Sequence, residues 1–276
     1  MTNPVNSLYS KYSSGEIYIP QLPSNSSLST SPISLVLSFE NNDDIIAGLF
    51  KIHAVHNANP SRPIHIHIPY MAYSRGDKLE NDYCGAKIIA GLIPNFISSI
   101  TLYHLHNPII LNYFNCPTRH KTTFDIIPSS LFASHPVLVA TDLGSSKDII
   151  KLATIYGCEY CIALKDRTAN NFNSTSTPHL TNFMGQIDPN KDYLIIDDMV
   201  DSGQTLINVV EHLRQHKPKS ISCWATHSIL STPESHNIPS YFDNFYTTNS
   251  HSNHNIIQSL SKSKCNVKIF NLSIDK

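Results

Sequence analysis

Short apolar runs recur along the chain, each followed by a stretch with apolar residues at helical spacing. That alternation restricts the possible folds more than any other feature of the sequence. "PISLVLSF" (32–39) reads as a strand, and the helix expected over 43–56 carries Ile45, Ile46, Leu49 and Ile52 at helical intervals. "PIHIHIPY" (63–70) is the next strand, and 83–97 sets Ile88, Ile89, Leu92 and Phe96 on one helical face. Strands follow at 98–106, 136–142, 160–164, 192–198 and 220–227, with helices expected over 145–156 and 203–215. In the last helix Leu206, Val209, Val210 and Leu213 keep an i, i+3, i+4, i+7 register. Strands separated by helices imply βαβ units and mainly parallel sheets. A polar passage at 115–135 divides the chain into two α/β halves, 1–120 and 121–276. Segments 20–32 and 228–254, rich in Ser, Pro and Asn, are expected to be long surface loops.

Charge excludes some functions. Twenty Lys and Arg balance 21 Asp and Glu, with no basic block, so the footprint of a nucleic-acid or anionic-membrane partner is missing. No basic segment followed by an apolar run opens the chain, and no window reads as a membrane span, so a cytoplasmic protein is expected. The six cysteines are scattered and mostly flanked by apolar residues, as buried thiols in a reducing compartment would be. Cys158-x-x-Cys161 enters a strand rather than opening a helix, which argues against a redox motif. His65 and His67 share one strand face, but without a third ligand their structural role is the better expectation.

The strongest signal is "YLIIDDMVDSGQT" (193–205). An apolar strand delivers Asp197 and Asp198 to its C-terminal end, where α/β sheets bind ligands. Asp201, Ser202, Gly203, Gln204 and Thr205 then bend into a helix. Backbone N–H groups at a helix start, joined by Ser and Thr hydroxyls, make a cradle for phosphate. A capped turn before an ordinary helix would need an Asp or Ser, but not the whole string.

This string resembles the phosphoribosyl-diphosphate motif of type I phosphoribosyltransferases and of ribose-phosphate diphosphokinases. Further segments, in order along the chain, are similar to the diphosphokinases: "YSSGE" (12–16), "IPYMAYSRGDK" (68–78), "LYHLH" (102–106), "VATDLGSSK" (139–147), "ALKDRT" (163–168) and "CWATHSILS" (223–231). The resemblance covers about residues 10–275 and implies two phosphoribosyltransferase-like domains, with nucleotide and metal on the first and sugar phosphate on the second. It implies transfer of the diphosphoryl group of ATP to the C1 hydroxyl of ribose 5-phosphate, a step of nucleotide biosynthesis, with Mg²⁺ as cofactor. Tyr12 and Glu16 would hold adenine from a neighbouring subunit, so a homo-oligomer is implied. Arg75, Asp77 and His106 would bind ATP, His106 and Asp142 would hold the metal, and Lys165 and Arg167 would act on the reacting phosphorus. Asp197 and Asp198 would take the ribose hydroxyls and 201–205 the 5-phosphate, and the polar run 168–182 would close as a lid.

Departures from the family pattern fall mainly on the nucleotide side. Where the adenine motif has an aromatic and an Asp this chain has Tyr12 and Ser14, Gly76 replaces a Gln, and His104 an Asp. Gln204 replaces a Gly of the phosphate loop and Asp166 an Arg of the catalytic loop. The family's strand before the adenine motif and its helix after the last strand have no counterpart here. The altered phosphate loop motivates a larger acceptor, ADP-ribose being one example. The alternatives are a catalytically silent homologue that regulates a synthetase, and a phosphoribosyltransferase, which would leave 10–120 unexplained.

Overall fold

The computed structural model describes residues 9–20, 30–79, 83–166, 179–253, 256–257 and 265–274. The chain divides into two units: Met1–Thr122 with Asn249–Ser252 and Leu272–Lys276, and Thr123–Thr248 with Asn253–Asn271.

The first unit begins with a hairpin of β1 (Ser10–Lys11) and β2 (Ile17–Tyr18). Its sheet is parallel throughout, in the order β3 (Ile33–Val36), β4 (Ile64–Ile68), β5 (Ser99–Tyr103), β6 (Thr118–Lys121). Helix α1 (Asn42–Ala58) starts where the Asn41 side chain accepts the Asp44 N–H, and Asp43 and Asp44 in its first turn suit the positive end of the helix dipole. Helix α2 (Gly85–Gly91) is shorter than the expected 83–97. Pro94 disfavours helical geometry at the residue before it, so the chain turns out of the helix. The face expected to pack is the exposed one: Ile88 is 54% and Leu92 45% accessible. Gly85, Ala86 and Ala90 are buried instead, because small residues let the helix approach closely, and Phe96 stacks on His56 at 3.8 Å.

The second unit holds a seven-stranded sheet in the order β13 (Asn266–Phe270), β12 (Asn244–Thr248), β11 (Ser220–Ser228), β10 (Asp192–Val200), β7 (Val137–Ala140), β8 (Tyr160–Asp166), β9 (His179–Met184). Only the edge pair β8–β9 is antiparallel. After the short helix α3 (Thr123–Ile126) come α4 (Ser146–Tyr156) and α5 (Gln204–Gln215). Alternate strand residues separate two cores. Val139, Ile195 and Cys223 pack with Leu206, Val209, Val210 and Leu213 of α5, while Leu138, Leu194 and Trp224 pack with Ile149, Leu152 and Ala153 of α4. Helices cover both faces, which is why these strands read as continuous apolar runs.

One loop expectation is corrected. Segment 228–254 contains a 3₁₀ segment, Glu234–Tyr241, and strand β12, whose Phe245 and Thr247 are fully buried. Of the polar run 168–182 expected to close as a lid, residues 168–178 lie outside the described residues, and 179–182 fall in β9, where Leu180 and Asn182 pair with Lys165 and Leu164. Strand β6 lies inside the polar passage 115–135. His65 and His67 serve the sheet, their Nδ1 atoms lying 2.7 Å from Ser99 Oγ and 3.2 Å from Tyr103 Oη. All six cysteines are free thiols, and no helix among the described residues is long and apolar enough to cross a membrane.

Candidate functional site

On the second unit, β10 and β7 run parallel with Ile196 opposite Ala140, so extending the register brings Asp197 beside Thr141 and Asp198 beside Asp142. The carboxyl of Asp197 is pushed well above the usual carboxylate range, chiefly by burial and then by the charges of Asp198 and Asp142, with a Thr141 hydrogen bond pulling the other way. The Asp198 amide donates to Asp197 Oδ1 at 3.0 Å, and the Met199 amide to Asp198 Oδ1 at 2.8 Å. Asp142 Oδ1 accepts the amides of Gly144 at 2.9 Å and Ser145 at 3.1 Å, which shapes the turn into α4. A carboxyl held toward its neutral form, as that of Asp197 is, can both donate to and accept from a vicinal diol.

The loop 201–205 follows directly. Gly203 has φ +71° and caps α5. A Cβ there would sit 1.9 Å from Ile238 Cδ1, so the 3₁₀ segment closes the back of the loop. Asp201 Oδ1 accepts from Ser231 Oγ at 2.5 Å and from the Ser231 amide at 3.3 Å. Ser202 and Gln204 are exposed and Thr205 is half-buried. The Gln204 side chain runs along the helix, with Nε2 donating to Asn208 Oδ1 at 2.8 Å. Lys165 ends in β8, but its side chain, like Arg167, lies outside the described residues.

On the first unit, Tyr12 and Glu16 flank the hairpin turn. The Tyr12 amide donates to the Glu16 carbonyl at 2.9 Å, and Gly15 supplies φ +91°. Ser14 Oγ donates to Glu16 Oε2 at 2.7 Å, and the exposed Tyr12 ring lies 4.5 Å from that of Tyr18. Arg75 is exposed on the loop after β4, between buried Ser74 and half-buried Gly76. Asp77 is buried, and its Oδ2 accepts from Asn107 Nδ2 at 2.6 Å. His106 is exposed one residue before that Asn.

Asn107, Thr141, Ser231 and Ile238 carry no local signal in the sequence. Each matters through a partner distant along the chain: Asp77 is 30 residues from Asn107, and Asp201 is 30 from Ser231. Among the described residues no group of three or more His, Cys, Asp or Glu side chains could hold a metal ion alone. The crowded carboxylates Asp142 and Asp198 nonetheless suit a hard divalent cation, because magnesium takes few protein oxygens and is otherwise held by substrate phosphates and water.

A mainly parallel sheet covered on both faces, with paired acids at a strand end and a glycine-capped loop, is the arrangement of a phosphoribosyltransferase-type fold. Residues 125–260 match the family model "Phosphoribosyl transferase domain". The ribose-phosphate pyrophosphokinase of Aquifex aeolicus is 28% identical over 237 residues, 83% of this chain and 73% of that one. Its counterpart from Buchnera aphidicola subsp. Schizaphis graminum is 27% identical over 246 residues, 84% and 74% of the two chains. The crystal structure of phosphoribosylpyrophosphate synthetase from Mycobacterium smegmatis superposes with a TM-score of 0.77 at 20% identity, over 95% of this chain and 85% of that one. The chain is thus similar to ribose-phosphate pyrophosphokinases over most of its length, and it shares the fold of a phosphoribosylpyrophosphate synthetase.

Proposed function

We propose that this protein transfers the diphosphoryl group of ATP to the C1 hydroxyl of ribose 5-phosphate. The observation that supports this most is the sequence of features at the end of β10: paired Asp197 and Asp198, then a glycine-capped turn into α5. Such a site takes a ribose through its hydroxyls and a phosphate through backbone amides. In the reaction the C1 oxygen bonds to the β-phosphorus, the bond from that phosphorus to the oxygen bridging the α-phosphorus breaks, and AMP leaves with that oxygen. The hydroxyl proton is released. Arg75 and His106, both exposed on the first unit, are the proposed ATP contacts there, with Tyr12 and Glu16 at the base. Lys165 and Arg167 would neutralise charge on the transferred group, which is the main demand of phosphoryl transfer. By the resemblance, Asp142 of the second unit and His106 of the first are each proposed as Mg²⁺ ligands, the remaining positions being taken by phosphate oxygens and water, and the ion would screen the negative charge of ATP. By the same resemblance the working form is a homo-oligomer of at least two copies, checked by light scattering.

The acceptor is the open part of this reading. Gln204 is directed along α5 toward Asn208, which makes a 5-substituent larger than a monophosphate worth testing, ADP-ribose in particular. The experiment is to incubate the protein with ATP, Mg²⁺ and either ribose 5-phosphate or ADP-ribose, and follow AMP by chromatography. AMP formed only with an acceptor supports the reading, and the better acceptor decides between the two sugars. No AMP with either, together with tight association to an active synthetase, would replace it with a regulatory role.

A further inference from the structure

Two exposed residues proposed for ATP, Arg75 and His106, stand on separate loops of the first unit, and a partly buried polar tie joins those loops. Asn107 Nδ2 donates to Asp77 Oδ2 at 2.6 Å, while Asn107 Oδ1 accepts the Ile109 amide at 3.1 Å and so starts the 3₁₀ segment Pro108–Tyr113. At the far end of that segment Tyr113 Oη donates to the Asp77 carbonyl at 2.9 Å. The preceding carbonyl, that of Gly76, accepts the Ala86 amide at 3.0 Å and the Cys84 thiol at 3.3 Å. Asp77 is therefore a carboxylate committed to the protein, two residues after Arg75, and Asn107 meets it one residue after His106.

We infer that Asn107 is a positioning residue: through Asp77 it sets the loop of Arg75 relative to the loop of His106, and so the alignment of the ATP phosphates. The inference rests on the reading of the first unit as the nucleotide side. A hydrogen bond from a carboxamide to a carboxyl oxygen is directional, so it fixes spacing rather than merely filling space. Misplacing a reacting group by about 1 Å can lower the rate about 10²-fold.

The test uses the full chain and four variants, each assayed for AMP formation with ATP and ribose 5-phosphate varied in turn. Asn107→Ser keeps an oxygen for the Ile109 amide but cannot reach Asp77. It should lower kcat/KM for ATP by about 10–10²-fold and leave the KM for ribose 5-phosphate unchanged. Asn107→Asp sets two carboxylates against each other and should lose more. Asp77→Asn alone should be mild, since two carboxamides can still bond. The exchange Asp77→Asn with Asn107→Asp restores the bond in the opposite sense and should recover most of the loss, which a role in filling space would not. Unchanged ATP kinetics in Asn107→Ser would overturn the inference. So would an exchange no better than Asn107→Asp alone, or a KM for ribose 5-phosphate that rises in step. If the unaltered protein makes no AMP, the proposed activity falls, and the same series is read from Mg·ATP affinity by calorimetry. The same order of affinities then sustains the positioning role, whereas absence of Mg·ATP binding overturns both.

Discussion

Replacing Gly203 by Ala probes the turn into α5 at its tightest point. Two independent penalties apply. The residue holds φ +71°, which costs a non-glycine residue about 1–2 kcal/mol. The new methyl would also lie 1.9 Å from Ile238 Cδ1 and 2.6 Å from Cγ1, so rotating the end of that side chain does not clear it. Ile238 is 1% exposed and has no solvent to move into. Overpacking of this kind costs about 1–3 kcal/mol, so Gly203→Ala should destabilise the protein by about 2–5 kcal/mol in total. Ile238→Val removes Cδ1 for about 0.5–1.5 kcal/mol and should recover part of the steric penalty but none of the backbone penalty. The double variant should therefore be less destabilised than the sum of the singles by about 1 kcal/mol. Urea unfolding followed by tryptophan fluorescence measures this directly, because Trp224 is buried in the same sheet. The midpoint should fall with the slope unchanged. A Gly203→Ala protein within about 0.5 kcal/mol of the original, or strictly additive singles, would refute the packing argument.

Other outcomes follow from the same geometry. Asp197 has its carboxyl raised in the folded state, so protonation stabilises the fold, and that stability is lost as pH climbs from about 3.9 toward the folded value, by about 1.4 kcal/mol per pH unit. Asp197→Asn should thus gain stability over the original protein as pH rises, while binding ribose 5-phosphate more weakly; a gap that narrows with pH contradicts this. Lys165→Ala should reduce turnover about 10²–10³-fold with the melting temperature retained, and unchanged turnover would remove Lys165 from the chemistry. Burial pushes the Cys161 thiol up to about 12, so a thiol reagent at pH 8 should label Cys161 only after unfolding, later than half-buried Cys116 and Cys158, as mass spectrometry of labelled peptides would show.

What was legible in the sequence was what is local. Strand β10 and helix α5 fall close to the expected 192–198 and 203–215, because a strand buried on both faces and a one-sided helix each leave a periodic apolar trace. The acids and the glycine turn that follow are contiguous, so the phosphate loop could be read as a string. Helix α2 was harder to read. Its apolar residues are periodic, but small Gly85, Ala86 and Ala90 choose the buried face. Strand β12 was hidden because its polar residues are satisfied by neighbours: Thr247 Oγ1 lies 2.7 Å from Ser228 Oγ, and Thr248 Oγ1 donates to the Thr226 carbonyl.

By itself, the sequence determined the alternation of strands and helices, the parallel sheets and the chemistry of the segment 197–205. These depend on neighbours within a few residues. Only the tertiary structure decided which side chains act through others. It turned Asp201 onto Ser231, closed Gly203 against Ile238 and committed Asp77 to Asn107. The physical reason is that a buried polar or tightly packed group must find a partner in space, and the fold supplies partners 30 or more residues away along the chain.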